Sequence, residues 1–417
     1  MKNSIFLFCF IIISYRSIAQ DYLVTKYGVN ADSTVVLTNA IQKVIDKAAA
    51  EGGGNIVFSK GTYLTGALFF KPKTKLILQE GAVLKGSDEI RDYPLLPSRM
   101  EGQNQLYYAA LINAYFVDDF SINGPGSING NGTKFWKAFW EHRDTMNKAK
   151  KPWTNLEVHR PRLIFLWGCN KVTIQNTKFR NAGFWTTHLY QCKNVLVDGC
   201  DIRSPYAPIP APSTDGIDLD VCSKVVIRNC YISVNDDAIA IKGGKGIEAH
   251  LLPQNGIVED VLIEGCTFGE SHGSLTLGSE AIHVRNITMR NCKMDNKTSI
   301  LRIKMRPDTY QIYENISIEG ITGKCGILLA LAPWTQFYDL AGRTEKPFGT
   351  VRNISFTNIQ VECNRIGDIK GNPDDRISDI SFKNVTAKAI APTLITGKYP
   401  NITTEKMIVN GSDFVIK

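Results

Sequence analysis

The stretches KNVLVDGCDI (193–202) and SKVVIRNCYI (223–232) differ at most positions, yet they place apolar residues, a turn residue and a cysteine at the same offsets. Their apolar-x-apolar runs fit short β-strands with one face buried. The same strand starts at Val172, Val195, Val225, Val261, Ile287, Ile316, Ile354 and Ile380, at intervals of 23–38 residues. Four residues after each start stands Asn176, Gly199, Asn229, Gly265, Asn291, Gly320, Asn358 or Asn384. All are glycine or asparagine, which tolerate a left-handed backbone at little cost. One short strand and one fixed corner per repeat describe a parallel β-helix, an all-β solenoid whose unequal intervals are taken up by loops on one side. A β-sandwich would show hairpin turns instead.

The cysteines keep the same register. Cys169, Cys192 and Cys222 precede their strand starts by three, Cys200, Cys230, Cys266 and Cys292 follow by five, and Cys325 and Cys363 share a third column. The nine after residue 20 are odd in number and sit like small hydrophobes inside the coil, which predicts mostly free thiols.

The chain has 417 residues, 43% hydrophobic and 21% charged, enough for a large core. Residues 1–20, MKNSIFLFCFIIISYRSIAQ, read as a signal peptide: a basic start at Lys2, an apolar run and a small-x-small site at Ser17–Ala19. Arg16 interrupts the run before the roughly 20 apolar residues a membrane anchor needs. The expectation is an exported protein, periplasmic or extracellular, with residues 21–417 forming one domain and working as a monomer. The formal charge of +8 suits an anionic polymer, and no dense basic run interleaved with aromatics points to nucleic acid. The stretch DSTVVLTNAIQKVIDKAAAEGGG (32–54) predicts an amphipathic helix capped by Asp32 or Ser33 and stopped by Gly52–Gly54. Such a helix would cover the open N-terminal edge of the coil. Residues 132–162 read as a loop excursion carrying a helical piece.

A second strand in each repeat carries the chemistry: TDGIDLD, DDAIAIK, HGSLTLG and LRIKM. Aligning Ile217, Ile239, Leu275 and Leu301 as inward positions stacks Asp215 and Asp237 on adjacent rungs, with Asp236 beside them. His272 enters one rung on, and Arg302 and Lys304 one further. Rungs lie about 4.8 Å apart, so the three carboxylates fall within a few Å, with His272 and the two cations about 5–15 Å further along the same surface. Carboxylates that close repel, and at least one must hold its proton. Glycosidic hydrolysis uses that arrangement: one acid donates a proton while ionised partners activate water. Clustered aspartates also ligate calcium, but the neighbouring cations favour an anionic substrate over a cation. Lys242, on the next outward column, and Trp185 with His188, one rung before Asp215, are candidate sugar contacts.

STDG (213–216), NDD (235–237), SHG (271–273) and RIK (302–304) resemble, in order, the four signature motifs of glycoside hydrolase family 28, the polygalacturonases. The resemblance runs from about Asp21 to the end. It implies a right-handed parallel β-helix and inverting hydrolysis of α-linked galacturonic acid in pectin. Asp236 would be the general acid, Asp215 and Asp237 would share the activated water, and His272 would tune the acid or hold substrate. Arg302 and Lys304 would bind a galacturonate carboxylate, and the resemblance implies no cofactor or metal. Three features depart from the family: Ser213 stands where it usually has Asn, GGKGIEAHLLPQNG (243–256) lengthens the step from Asp237 to His272, and Trp334 replaces a tyrosine often found after RIK. Residues 133–162, 243–256 and 333–349 could wall the groove, which predicts cleavage from chain ends. Competing readings are a hydrolase of the galacturonate–rhamnose backbone or of a galacturonide side branch, a calcium-dependent pectate lyase, and a non-catalytic polysaccharide-binding coil.

Overall fold

A computed structural model describes residues 20–295 and 297–416; the expected signal peptide, Gln20 apart, lies outside them. Thirty-two strands join one continuous hydrogen-bonded sheet that winds as a right-handed parallel β-helix. The repeat register of the sequence is the register of the coil. Val172, Val195, Val225, Val261, Ile287, Ile316, Ile354 and Ile380 pair in one unbroken column. Side chains at this face fill the interior, and Ile217, Leu219, Ile239, Ile241, Leu275, Leu277, Leu301 and Ile303 are buried in it. Each such side chain contributes roughly 1.5–3 kcal/mol through removal from water.

The corner residues Asn176 to Asn384 all have left-handed φ, 53–64°. The structure adds a second left-handed column one residue before each strand start: Lys171, Asn194, Lys224, Asp260, Asn286, Asn315, Asn353 and Asp379. Its side chains form a ladder on the outside of the coil, with Asn286 donating to Asp260 (3.1 Å), Asn315 to Asn286 (3.3 Å) and Asn353 to Asn315 (3.1 Å). All nine cysteines of the described residues are free and buried. Thiols hydrogen-bond to carbonyls of the preceding rung, as Cys192 does to Leu166 (3.4 Å) and Cys222 to Leu189 (3.2 Å).

The N-terminal helix α1 spans Thr38–Ala50 and buries Ile41, Val44, Ile45 and Ala48 against the first strands of the coil. Its start differs from expectation. Asp32 accepts hydrogen bonds from the Thr34 and Val35 amides in a turn of its own, and the helix begins six residues later without a side-chain cap. The short Asp32 side chain satisfies the amides next to it in the chain first. Two pieces stand off the coil. One is helix α2, Thr133–Lys148, inside the expected excursion. The other is an antiparallel hairpin of Leu95–Met100 with Gln103–Tyr108, which the sequence reading missed.

Candidate active site

The inward alignment holds residue for residue: Ile217 pairs with Ile239, Ile239 with Leu275 and Leu275 with Leu301. Asp215 and Asp237 therefore open neighbouring rungs, tied by the Gly216 amide donating to the Asp237 carbonyl (3.0 Å). Oxygens of Asp215, Asp236 and Asp237 all lie within 4.8 Å of one another. Two motif glycines make this packing possible. A Cβ on Gly216 would meet the Ala238 carbonyl oxygen at 2.5 Å, and one on Gly273 would meet Thr276 Oγ1 at 2.3 Å.

Asp237 is the most enclosed of the three. Its Oδ1 accepts from Thr276 Oγ1 (2.8 Å) and faces Arg302 Nη1 (3.5 Å), and its Oδ2 accepts from Lys304 Nζ (2.6 Å). The cations are thus much nearer than the 5–15 Å expected, because Lys304 and Arg302 reach back across the rungs. Both cations lie against the Trp334 ring, at 5.2 Å for Arg302 and 4.7 Å for Lys304. Asp236 is the acid that faces the cavity: its side chain is 27% exposed, against 6% for Asp215 and 2% for Asp237. Its Oδ1 accepts from the Asp237 amide (3.0 Å) and meets His272 Nδ1 (3.2 Å).

The electrostatics separate the acids. Burial, then the charges of Asp218 and Asp236, push Asp215 well above the usual carboxylate range. Burial works the same way on Asp236, but the His272 hydrogen bond and charge, with Lys304 and Lys242, outweigh it and hold Asp236 at about 2. The Asp236 bond raises His272 in turn. These shifts favour the protonated form of Asp215 and the ionised form of Asp236, whereas the resemblance makes Asp236 the proton donor.

Lys242 and His188 belong to the support rather than the surface expected for them. Lys242 Nζ is enclosed by Asp218 (3.2 Å), Asp215 (3.5 Å) and Glu280 (3.8 Å), and lies 4.4 Å from the Trp185 ring centroid. It still borders the cavity, but its charge is spent on these carboxylates. His188 is fully buried. Arg162 Nη1 lies 2.7 Å from its Nδ1, and Arg162 in turn grips Ser98 and the Arg99 carbonyl of the hairpin. The hairpin thus covers the outward face of that strand, and His188 cannot touch a ligand. Trp185 does line the cavity. Sequence reading overlooked Asp218, Thr276 and Glu280; the alternation in IDLD (217–220) already turns Asp218 outward beside Asp215.

These groups floor a cavity of about 1130 Å³, above the roughly 300–1,000 Å³ usual for small-ligand sites. Four segments form its rim and are stitched to one another. Glu101, at the hairpin tip, pairs with Lys245 of the 243–256 insertion (3.2 Å). Glu248 of that insertion pairs with Arg343 of the 333–349 segment. Phe337 of that segment meets Trp153 of the 133–162 excursion edge-on (6.2 Å), and His159 of the excursion returns to Tyr108 of the hairpin (4.8 Å). Arg306 anchors the third segment, bonding Asp308 through two nitrogens (2.8 and 2.7 Å) and the Phe337 carbonyl (3.1 Å).

The sequence profile of Glycosyl hydrolases family 28 matches residues 98–401. A probable polygalacturonase of Vitis vinifera is 28% identical over 387 residues, covering 88% of this chain and 74% of that protein. An endo-polygalacturonase of Pectobacterium parmentieri is 25% identical, covering 85% of each chain. The crystal structure of a hyperthermoactive exopolygalacturonase from Thermotoga maritima superposes with a TM-score of 0.77 at 20% identity, covering 95% of this chain and 93% of that one.

Proposed function

The chain belongs to glycosyl hydrolases family 28, and from that premise we propose that it hydrolyses α-linked galacturonic acid of pectic polysaccharide, from chain ends and with inversion. It is a glycoside hydrolase, and its relatives' names point to galacturonan. The observation that carries the finer reading is the stitched rim around an acid cluster backed by cations. A long polymer crosses an open groove, whereas a walled cavity admits an end.

Asp236 is the proton donor to the leaving oxygen, because its side chain is the most exposed of the three acids that line the cavity. Its proton comes from within the cluster. A bound sugar removes Asp236 from water and draws Arg302 and Lys304 toward its own carboxylate, and the loss of Lys304 weakens the attraction that keeps Asp236 ionised. The proton then moves from Asp215 to Asp236, over at most 4.8 Å. Asp215 and Asp237, now both ionised, hold and deprotonate the attacking water.

Inverting sites usually space their carboxyl groups roughly 6.5–9.5 Å apart, and this cluster is tighter. Neither deep acid is free to act as nucleophile, however. Asp237 has both oxygens engaged by Thr276, Arg302 and Lys304, and Asp215 sits beside Lys242 with its side chain only 6% exposed, which supports attack by water. NMR of the first-formed anomer tests this; a retained configuration refutes it. A product time course on polygalacturonic acid tests the chain-end reading: monomer alone at early times is expected, and an early ladder of oligomers refutes it. A lyase is separated by its unsaturated, UV-absorbing product. We also infer export, from residues 1–20, and a working monomer, since the acids, cations and rim come from one chain. N-terminal sequencing of the mature protein and gel filtration test these.

A further inference from the structure

We propose that Arg143 forms a second carboxylate-binding position in this cavity, taking a uronate sugar other than the one at Arg302 and Lys304. The inference rests on the reading of the substrate as an acidic sugar polymer. Trp140, Arg143 and Asn147 lie along one face of α2, at i, i+3 and i+7. The Arg143 guanidinium lies over two indoles, 4.9 Å from the Trp140 ring and 5.2 Å from that of Trp153. Both indoles are fixed, Trp140 Nε1 donating to the Pro210 carbonyl (2.8 Å) and Trp153 Nε1 to Asn147 Oδ1 (2.9 Å). All three side chains line the cavity.

Arg143 is half-buried, and among the described residues its guanidinium has no ion-pair or hydrogen-bond partner. The nearby Glu157 is taken by His142 (2.6 Å) and the Thr154 amide (3.1 Å). Of the other cations lining the cavity, Lys242 and Lys245 are held by carboxylates and Arg306 by Asp308, while Arg302 and Lys304 form the first carboxylate position. A guanidinium seated against aromatic rings with no bonded partner leaves its N–H edge free, the edge that binds carboxylates with two parallel hydrogen bonds. Immobilising it in advance lowers the entropy lost on binding. A uronate carboxylate fits this edge, whereas a neutral sugar leaves the charge uncompensated.

The test uses the full-length Asp236→Asn protein, to prevent turnover, and calorimetric binding of trigalacturonate and its fully methyl-esterified form. Adding Arg143→Met, which keeps the apolar stem between the indoles, is expected to weaken trigalacturonate about 10- to 100-fold. The ester should change by no more than about twofold, the melting temperature should stay put, and Arg143→Lys should recover part of the affinity, as a point charge without the fork. Unchanged acid affinity, or equal losses for acid and ester, would overturn the proposal. If the parent Asp236→Asn protein binds neither ligand while remaining folded, the substrate reading itself fails and takes this inference with it.

Discussion

Replacing Lys242 with methionine should destabilise the protein far more at pH 7.5 than at pH 5. The ammonium sits 3.2, 3.5 and 3.8 Å from Asp218, Asp215 and Glu280, and its side chain is 5% exposed. At an effective dielectric of about 20 the contacts with ionised Asp218 and Glu280 each have a gross attraction of about 4–5 kcal/mol, and Asp215, pushed toward its neutral form, contributes less. Desolvation offsets much of this, and removing one partner of a buried ionic group usually costs about 3–5 kcal/mol net. The cluster has a way to reduce that cost, which is to bind protons. Asp218 already stands at about 6, raised by burial against the pull of Lys242, and Glu280 is held at about 2, with Lys242 the main influence opposing burial. Without Lys242 both rise in the folded state.

A carboxyl raised above its unfolded value costs nothing below the unfolded pKa, near 4, and costs more as pH climbs toward the folded pKa. Each proton retained by the folded variant is therefore worth about 1.4 kcal/mol per pH unit. Urea unfolding of wild type and Lys242→Met at both pH values should give a difference of about 3–5 kcal/mol at pH 7.5, and at least about 1–2 kcal/mol less at pH 5. Methionine preserves length and apolar contact with Trp185, so lost packing would give a pH-independent difference. Equal losses at the two pH values would refute the charge argument.

Asp236→Asn should fold and bind like wild type while turnover falls about 100-fold or more, measured by reducing-sugar release. Asp215→Asn removes a carboxyl that the folded state does not want ionised, so thermal melting at neutral pH should rise by about 1–4 °C while activity collapses. Gly273→Ala drives a methyl into Thr276 and off its bond to Asp237; kcat should fall about tenfold or more with little change in KM, seen in initial-rate assays. Phe337→Ala opens the contact with Trp153, and chromatography of early products should then reveal a larger share of oligomers than from wild type.

The coil was legible because each rung writes the same constraint into the chain. A strand start, a left-handed corner and a cysteine recur at fixed offsets, so the register at Val195, Val225 and Val261 could be read before any coordinate. The acid cluster followed from that register, as Asp215 and Asp237 are two residues before matched inward positions. What lay off the coil was harder. Glu101 and Gly102 both take left-handed φ (44° and 75°) at the tip of a two-residue hairpin, a conformation that favours Gly after Asn or Asp and gives Glu-Gly only a faint signal. Missing that hairpin led directly to the misplacement of His188, an outward residue buried by a segment about ninety positions earlier. The sequence placed His272 and Lys304 on the rungs beyond the acids but not how far they reach back, because their contacts with Asp236 and Asp237 depend on side-chain reach rather than on register.

The stitched rim hangs entirely from insertions between rungs, whereas the acids stand on the rungs themselves. Lengthening or trimming an insertion can thus change which part of a polymer gains entry while the spacing of the reacting groups stays fixed by backbone hydrogen bonds. Selectivity and chemistry are mechanically uncoupled here, so descendants of one ancestor could diverge from nibbling ends to cutting interiors without ever passing through an inactive form.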